Sequence, residues 1–325
     1  MAENESRLSR RDLCCGAGAA LFCCLPGLKA EAEALADPVA PAEIKLTEVA
    51  PGFLVAQGVH AEAKPENLGA IANIGVVIGS ESVAVIDSGG CRLWGQRLRE
   101  AIRGRTALPI RYLVQTHMHP DHIFGAAAFL DDGPVIVGHR NLGAALAARE
   151  GFYLKRLASV LGELAAGSAI LRPTAIVDRE YRIDLGGRVL TVTAHRPAHT
   201  DNDLSVFDEK TGTLWTGDLL FMERVPSLDG SLLGWIAALG ELRRVRAERV
   251  VPGHGPVAAD FSGAFDAEER YLTVLRDSIR AIQRRGGTME EAISSVGLEE
   301  RTYWRLFDDY NPHNVTAAFH ELEWE

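Results

Sequence analysis

The sequence predicts an α/β fold, and three observations carry that reading. Short runs rich in β-branched residues, punctuated by Gly, Pro and Ser, alternate with amphipathic segments from Ile44 onward. The order of strands first and helices after occurs twice along the chain. The 325 residues are 47% apolar and 24% charged, enough to bury a substantial core.

Taken in order, Ile44 to Val49, Phe53 to Val59, Ile71 to Ile78 and Ser82 to Ile86 read as strands. Arg92 to Ile102 has Leu93, Leu98 and Ile102 at helical intervals with charges between, and reads as a helix. Ile110 to Val114 is a strand, Ile123 to Leu130 a helix and Val135 to Val137 another strand. Asn141 to about Leu171 is rich in Ala, Leu and Arg and is expected to be helical, an excursion between two halves. Strands follow at Ala175 to Val177, Tyr181 to Leu185, Val189 to Ala194, Leu204 to Phe207 and Thr213 to Trp215. A helix at Leu233 to Arg246 precedes a strand at Arg249 to Val251, and helices dominate from Asp266. No short-period repeat or low-complexity linker interrupts this pattern, so one domain is expected.

The N-terminus is read apart from the fold. Arg10-Arg11 precede an apolar run from Cys14 to Leu25, and Ala34-Leu35-Ala36 ends a stretch of small residues. This layout resembles a twin-arginine export signal with an A-x-A cleavage site. The run is too short to cross a bilayer permanently, since a spanning helix takes about 20 residues. Cleavage after Ala36 would leave residues 37–325, in the periplasm and without stable membrane insertion. Four of the five cysteines fall inside the leader, leaving Cys91. No disulfide can form within the remaining chain, and any metal site must use histidine and carboxylate. The formal charge of −10 argues against a nucleic-acid partner, and the expected partner is a small-molecule substrate.

The chemistry concentrates at strand ends. After Ile110 to Val114 comes Thr116-His117-Met118-His119-Pro120-Asp121-His122. His199 follows Val189 to Ala194, Gly217-Asp218 follows Thr213 to Trp215, and Pro252-Gly253-His254-Gly255 follows Arg249 to Val251. If these strands are sheet neighbours, the loops at their carboxyl ends can meet around an ion. Imidazole and carboxylate suit zinc or iron better than calcium or magnesium. Seven ligands exceed the four of one tetrahedral zinc and match two ions sharing a carboxylate. His60, His139, His195, His313 and His320 lack ligand-spaced partners and are read as ordinary surface or hydrogen-bonded residues.

These motifs resemble the metallo-β-lactamase superfamily of αβ/βα sandwich hydrolases, in which two mixed sheets are flanked by helices. More narrowly, Ala198 to Asp203, Gly217 to Phe221, Asp229 to Trp235, Phe307 to Tyr310 and Asn314-Val315 resemble the quinoprotein relay system zinc metallohydrolases. That resemblance implies two Zn2+ and a functional link to periplasmic quinoprotein dehydrogenases. It places His117, His119 and His199 at the first metal and Asp121, His122 and His254 at the second. Asp218 would be the bridging carboxylate, where class B lactamases usually carry cysteine or serine. Asp201-Asn202-Asp203 departs from the glycine many members carry after the His199 motif.

Asp87 matches the superfamily's structural aspartate and is read as hydrogen-bonding the ligand loop. Gly125 is expected to let the following helix pack closely. Asp121 would both bind metal and position the hydroxide that attacks a small ester, thioester or amide. Arg224 is a candidate clamp for a substrate carboxylate, Ala61 to Ile71 could overhang the metals, and Trp235, Trp304 and Tyr310 are read as packing residues. β-Lactam hydrolysis and iron-dependent chemistry on sulfur or oxygen species are the alternatives.

Overall fold

Residues 44–324 are described by a computed structural model; the expected signal segment lies outside them. The first half contributes β1 (Thr47–Ala50), β2 (Phe53–Ala56), β3 (Ile74–Ile78), β4 (Val83–Ile86), α1 (Arg92–Arg103), β5 (Ile110–Val114), α2 (Pro120–Ile123), β6 (Val135–His139), α3 (Leu142–Leu161) and β7 (Ala175–Val177). The second contributes β8 (Glu180–Asp184), β9 (Val189–Ala194), β10 (Leu204–Asp208), β11 (Thr213–Phe221), α4 (Leu232–Leu242), β12 (Arg249–His254), α5 (Asp266–Arg284), α6 (Met289–Ser295) and α7 (Phe307–Leu322).

Both sheets are mixed. The first runs β1-β2-β3-β4-β5-β6-β7, antiparallel up to β4 and parallel from β4 to β7. The second runs β12-β11-β10-β9-β8 and is antiparallel except for the β11–β12 pair. Their inner faces share an apolar layer that includes Phe53, Ile86 and Val114 from one sheet and Val206, Trp215 and Val251 from the other. Trp215 is fully buried and stacks on Phe53 at 6.3 Å. Helices cover the outer faces: α1 packs on the first sheet, α4, α5 and α7 on the second.

Several boundaries differ from the sequence expectation, each for a packing reason. The helix expected at Ile123 to Leu130 is a 3-10 segment, Phe124–Asp132. It is pressed against α1 and the end of β4: a Cβ on Gly125 would lie 1.8 Å from the Ser88 carbonyl oxygen. The helical excursion stops at Leu161, and the chain from Ala166 to Thr174 is irregular rather than helical. β11 runs on to Phe221 and β12 to His254, so Asp218 and His254 lie inside strands rather than beyond them. β11 is buried along its whole length, so its sequence shows no alternation to mark where it ends.

Candidate metal centre

Four loops and strand ends on one edge of the sandwich bring the seven residues together. Beyond β5 the chain turns through Thr116 and His117 to His119, which caps α2 while Pro120 occupies the first helical position. That short helix presents Asp121 and buries His122. His199 comes from the β9–β10 loop, Asp218 from within β11 and His254 from the end of β12. Two groups of ligand atoms result, His117, His119, His199 and Asp218 in one, Asp121, His122 and His254 in the other, each within a span of 4.8 Å.

In the first group His119 Nδ1 faces His199 Nε2 at 2.8 Å and His117 Nε2 at 3.2 Å. Asp218 Oδ2 lies 3.4 Å from His199 Nε2 and 3.7 Å from His117 Nε2. In the second, Asp121 Oδ2 is 3.3 Å from His254 Nε2 and 3.6 Å from His122 Nε2. Asp218 reaches this group as well, with Oδ1 at 3.1 Å from His122 Nε2 and Oδ2 at 3.3 Å from His254 Nε2. The space for this carboxylate depends on Gly253, where a Cβ would come within 1.9 Å of Asp218 Oδ1.

The donor set fits cations. Every outward imidazole nitrogen meets an oxygen: His117 Nδ1 at Thr116 Oγ1 (3.0 Å), His119 Nε2 at Asp229 (3.1 Å), His122 Nδ1 at Asp87 (2.9 Å), His199 Nδ1 at the Ser227 carbonyl (2.5 Å) and His254 Nδ1 at the Ile71 carbonyl (2.8 Å). A proton held on each outward nitrogen leaves the inward one as a free lone pair. Lone pairs facing each other at such distances repel unless a cation lies among them. His122 Nε2 and Asp218 Oδ1 are buried and, although 3.1 Å apart, are misaligned for a mutual hydrogen bond, as befits atoms aimed at a third body.

Electrostatics agree with this arrangement. Burial, reinforced by the charge of His122, holds His117 well below the ordinary imidazole range, and burial brings His199 down to about 3. Both are therefore neutral, the state that ligates. Burial disfavours the charged forms of Asp218 and Asp121, but the surrounding imidazoles outweigh it and keep both carboxylates ionised. Around His122 and His254 burial is instead overridden, chiefly by Asp218, and both are raised, so these two rings favour the protonated form unless a cation takes the proton's place.

The family model described as the metallo-beta-lactamase superfamily matches residues 69–254, more than half of the chain. The chain belongs to the metallo-β-lactamase superfamily. A linear primary-alkylsulfatase of Pseudomonas sp. (strain ATCC 19151) is 24% identical over 262 residues, covering 67% of this chain and 48% of the relative. This superfamily member thus spans about half the length of that curated relative. Among solved structures, a metallo-beta-lactamase from Pontibacter korlensis matches with a TM-score of 0.58 at 18% identity, over 71% of this chain and 99% of the other. A stereoselective inverting sec-alkylsulfatase from Pseudomonas sp. matches with 0.62 at 18%, over 85% and 50%. The chain thus combines the fold of this superfamily with two His/Asp clusters that could hold metal ions.

Around the two clusters the structure shows a set of supporting contacts. Asp87 takes the Thr116 amide (2.9 Å) and hydroxyl (2.9 and 3.0 Å) as well as His122, from a left-handed backbone at φ 62°. Asp229, behind His119, is itself held by Arg149 of α3 at 3.1 Å. Asn73 donates to the carbonyls of Pro252 and Gly255, both at 2.8 Å, and ties down the His254 turn. Sequence separations of 80 and 179 residues hide the Arg149 and Asn73 contacts from any local motif. Among the described residues, His60, His139, His195, His313 and His320 join neither cluster.

The clusters form the floor of a cleft of about 240 Å³. Glu62, Ala63 and Ile71 overhang it from the segment before β3. Arg224 lines it but is neither solvated nor free: its guanidinium donates to the Tyr310 hydroxyl (2.7 Å) and the Ala61 carbonyl (3.3 Å). Tyr310 was expected only to pack, yet it lines the cleft and donates to Glu62 at 2.5 Å. Trp235 and Trp304 do pack: Trp235 is fully buried 5.2 Å from the His199 ring, and Trp304 lies 5.9 Å from Tyr271.

Proposed function

We propose that this chain is a two-zinc hydrolase cleaving a small ester, thioester or amide, exported to the periplasm and serving a quinoprotein dehydrogenase system. The observation that carries the reading is Asp218, whose two oxygens reach both ligand groups at the floor of one cleft. An all-nitrogen-and-oxygen set of this composition suits zinc. The alkylsulfatase relative adds sulfate esters to the substrates worth testing. Export and the quinoprotein link rest on the leader-like N-terminus and on the branch motifs at 198–203, 229–235 and 307–315.

Bound in the two clusters, divalent cations supply Lewis acidity and bring the pKa of a water toward ~7. Asp121, ionised and 17% exposed toward the cleft, would orient that water by accepting a hydrogen bond from it. Phe221 and Trp235 close the space behind His199 and exclude bulk solvent from the clusters. Arg224, whose guanidinium donates to the Tyr310 hydroxyl, stands at the opposite wall, where a polar group of the substrate can be held.

The test is metal quantification on protein purified from its host compartment, joined to a screen of ester, thioester, sulfate ester, lactone and β-lactam substrates. Two zinc ions per chain and hydrolysis that Asp121→Asn abolishes would support the reading. Preferential lactam turnover would favour the lactamase alternative, and bound iron with oxygen-dependent turnover would replace hydrolysis altogether.

A further inference from the structure

Helix α3 supplies none of the metal-cluster residues, yet it forms one wall of the cleft. Tyr153, Leu157, Val160 and Leu161 all line the cavity. Their spacing, four, three and one residues apart, places them on a single helix face. Apart from the Tyr153 hydroxyl, that wall is hydrocarbon. Arg156, on the same helix, also borders the cavity; it is exposed and makes no hydrogen bond or ion pair among the described residues. The opposite wall carries the guanidinium of Arg224.

A wall of this kind is poorly matched to a wholly polar substrate, because lining apolar carbon with a hydrated group forfeits burial without returning hydrogen bonds. An unpaired guanidinium at its edge is complementary to an anion, and the neighbouring apolar surface strengthens that attraction. About 240 Å³ lies below the usual range for ligand cavities of roughly 300–1,000 Å³, so the occupant is small.

We propose that the substrate is a small amphiphilic anion: a short apolar chain or ring lies along Tyr153, Leu157, Val160 and Leu161, and an anionic group is met by Arg156. This rests on the hydrolytic reading of the same cleft and names the substrate class for it. Carboxylates and sulfates share the required chemistry, and the measurement separates them.

The experiment is calorimetric titration of zinc-loaded protein with n-alkyl carboxylates from acetate to octanoate, with octyl sulfate and octan-1-ol in parallel. Kd is expected to fall about two- to fourfold per added methylene, the gain of burying one CH2 partly or fully. Leu157→Gln should bring the octanoate and acetate affinities together. Val160→Gln, at a half-buried position, should do the same and serves if Leu157→Gln fails to fold. Arg156→Gln should weaken octanoate or octyl sulfate, whichever is the better ligand, and leave octan-1-ol unchanged.

Equal affinities across the carboxylate series, or a chain-length gain that survives both wall variants, would overturn the apolar half of the proposal. Octan-1-ol binding as tightly as both anions would overturn the anionic half. Hydrolysis of 4-nitrophenyl acetate and hexanoate is measured on the same samples. Chain-length-dependent binding without any hydrolysis would uphold the substrate wall and count against the hydrolytic reading, so the two fail separately.

Discussion

Replacing Asp87 by Asn should strip one metal from the site while leaving the fold intact. Asn matches the shape of Asp and tolerates the left-handed backbone at φ 62°, so the main chain has no reason to move. The side chain, however, faces donors on both sides. One oxygen takes the Thr116 amide at 2.9 Å, and the other takes His122 Nδ1–H at 2.9 Å. An amide has a single acceptor oxygen. Turned toward Thr116, it points its NH2 at His122; turned toward His122, it points its NH2 at the Thr116 N–H. The first clash is relieved only by moving the imidazole proton to Nε2, which blocks the nitrogen aimed at Asp218 and Asp121. Loss of one hydrogen bond to a charged group costs about 1.5–3 kcal/mol, and loss of such an orienting partner lowers metal affinity about 10–100-fold. Metal retained after dialysis against a graded chelator series, quantified by mass spectrometry, should show the variant keeping one ion where the wild type keeps two. Retention of both ions at wild-type chelator tolerance would refute the tautomer argument.

The other predictions concern the first cluster, the sheet interface and pH. Asp229→Asn should weaken metal binding at His119 by about tenfold, less than Asp87→Asn because Asp229 is 32% exposed and water can replace it; chelator titration reads this directly. Arg188→Met should destabilise the protein by about 3–5 kcal/mol in urea, because it leaves Asp208 buried and unpaired after loss of contacts at 2.6 and 3.2 Å. Arg188→Met/Asp208→Leu should recover most of that loss. Burial brings His195 down to about 4, below the 6.5 of a free imidazole, so its contribution is fully present above pH 6.5 and is lost as pH falls toward 4. Discounted for partial exposure this is about 1–2 kcal/mol, and His195→Gln should flatten the urea midpoint against pH over that interval.

The seven residues of the two clusters were legible because each lies in a short local motif, Asp218 within β11 and the others at or beyond strand ends. His117, His119, Asp121 and His122 occupy six consecutive positions, and their order reflects one turn leading into one short helix. Apart from Asp87, what holds them was not legible, because the other supports come from elsewhere in the chain. Arg149 reaches Asp229 from α3, and Glu268 of α5 accepts the Phe221 amide at 3.1 Å beneath the site. A buried acid such as Glu268 resembles any other charge of an amphipathic helix until the fold brings a partner to it. The ends of β11 and β12 were missed for a related reason. Parallel pairing with register shifts at Gly217 carries both strands past the turn residues that ordinarily mark a strand's end.

The distribution of ligands between the two halves explains why the motifs are scattered as they are. His117 and His119 leave the first sheet, while His199 and Asp218 belong to the second. In the other group Asp121 and His122 come from the first sheet and His254 from the second. Neither sheet alone can complete a coordination shell, so an ion at either position bridges the sandwich along its open edge. Asp87 spans both groups from one place, directly through His122 and indirectly through Thr116, whose hydroxyl donates to Asp87 and accepts from His117. Its left-handed backbone puts that single carboxylate at the end of β4, beside β5, where both groups can be reached. A strained residue is tolerated there because the same turn orients two histidines.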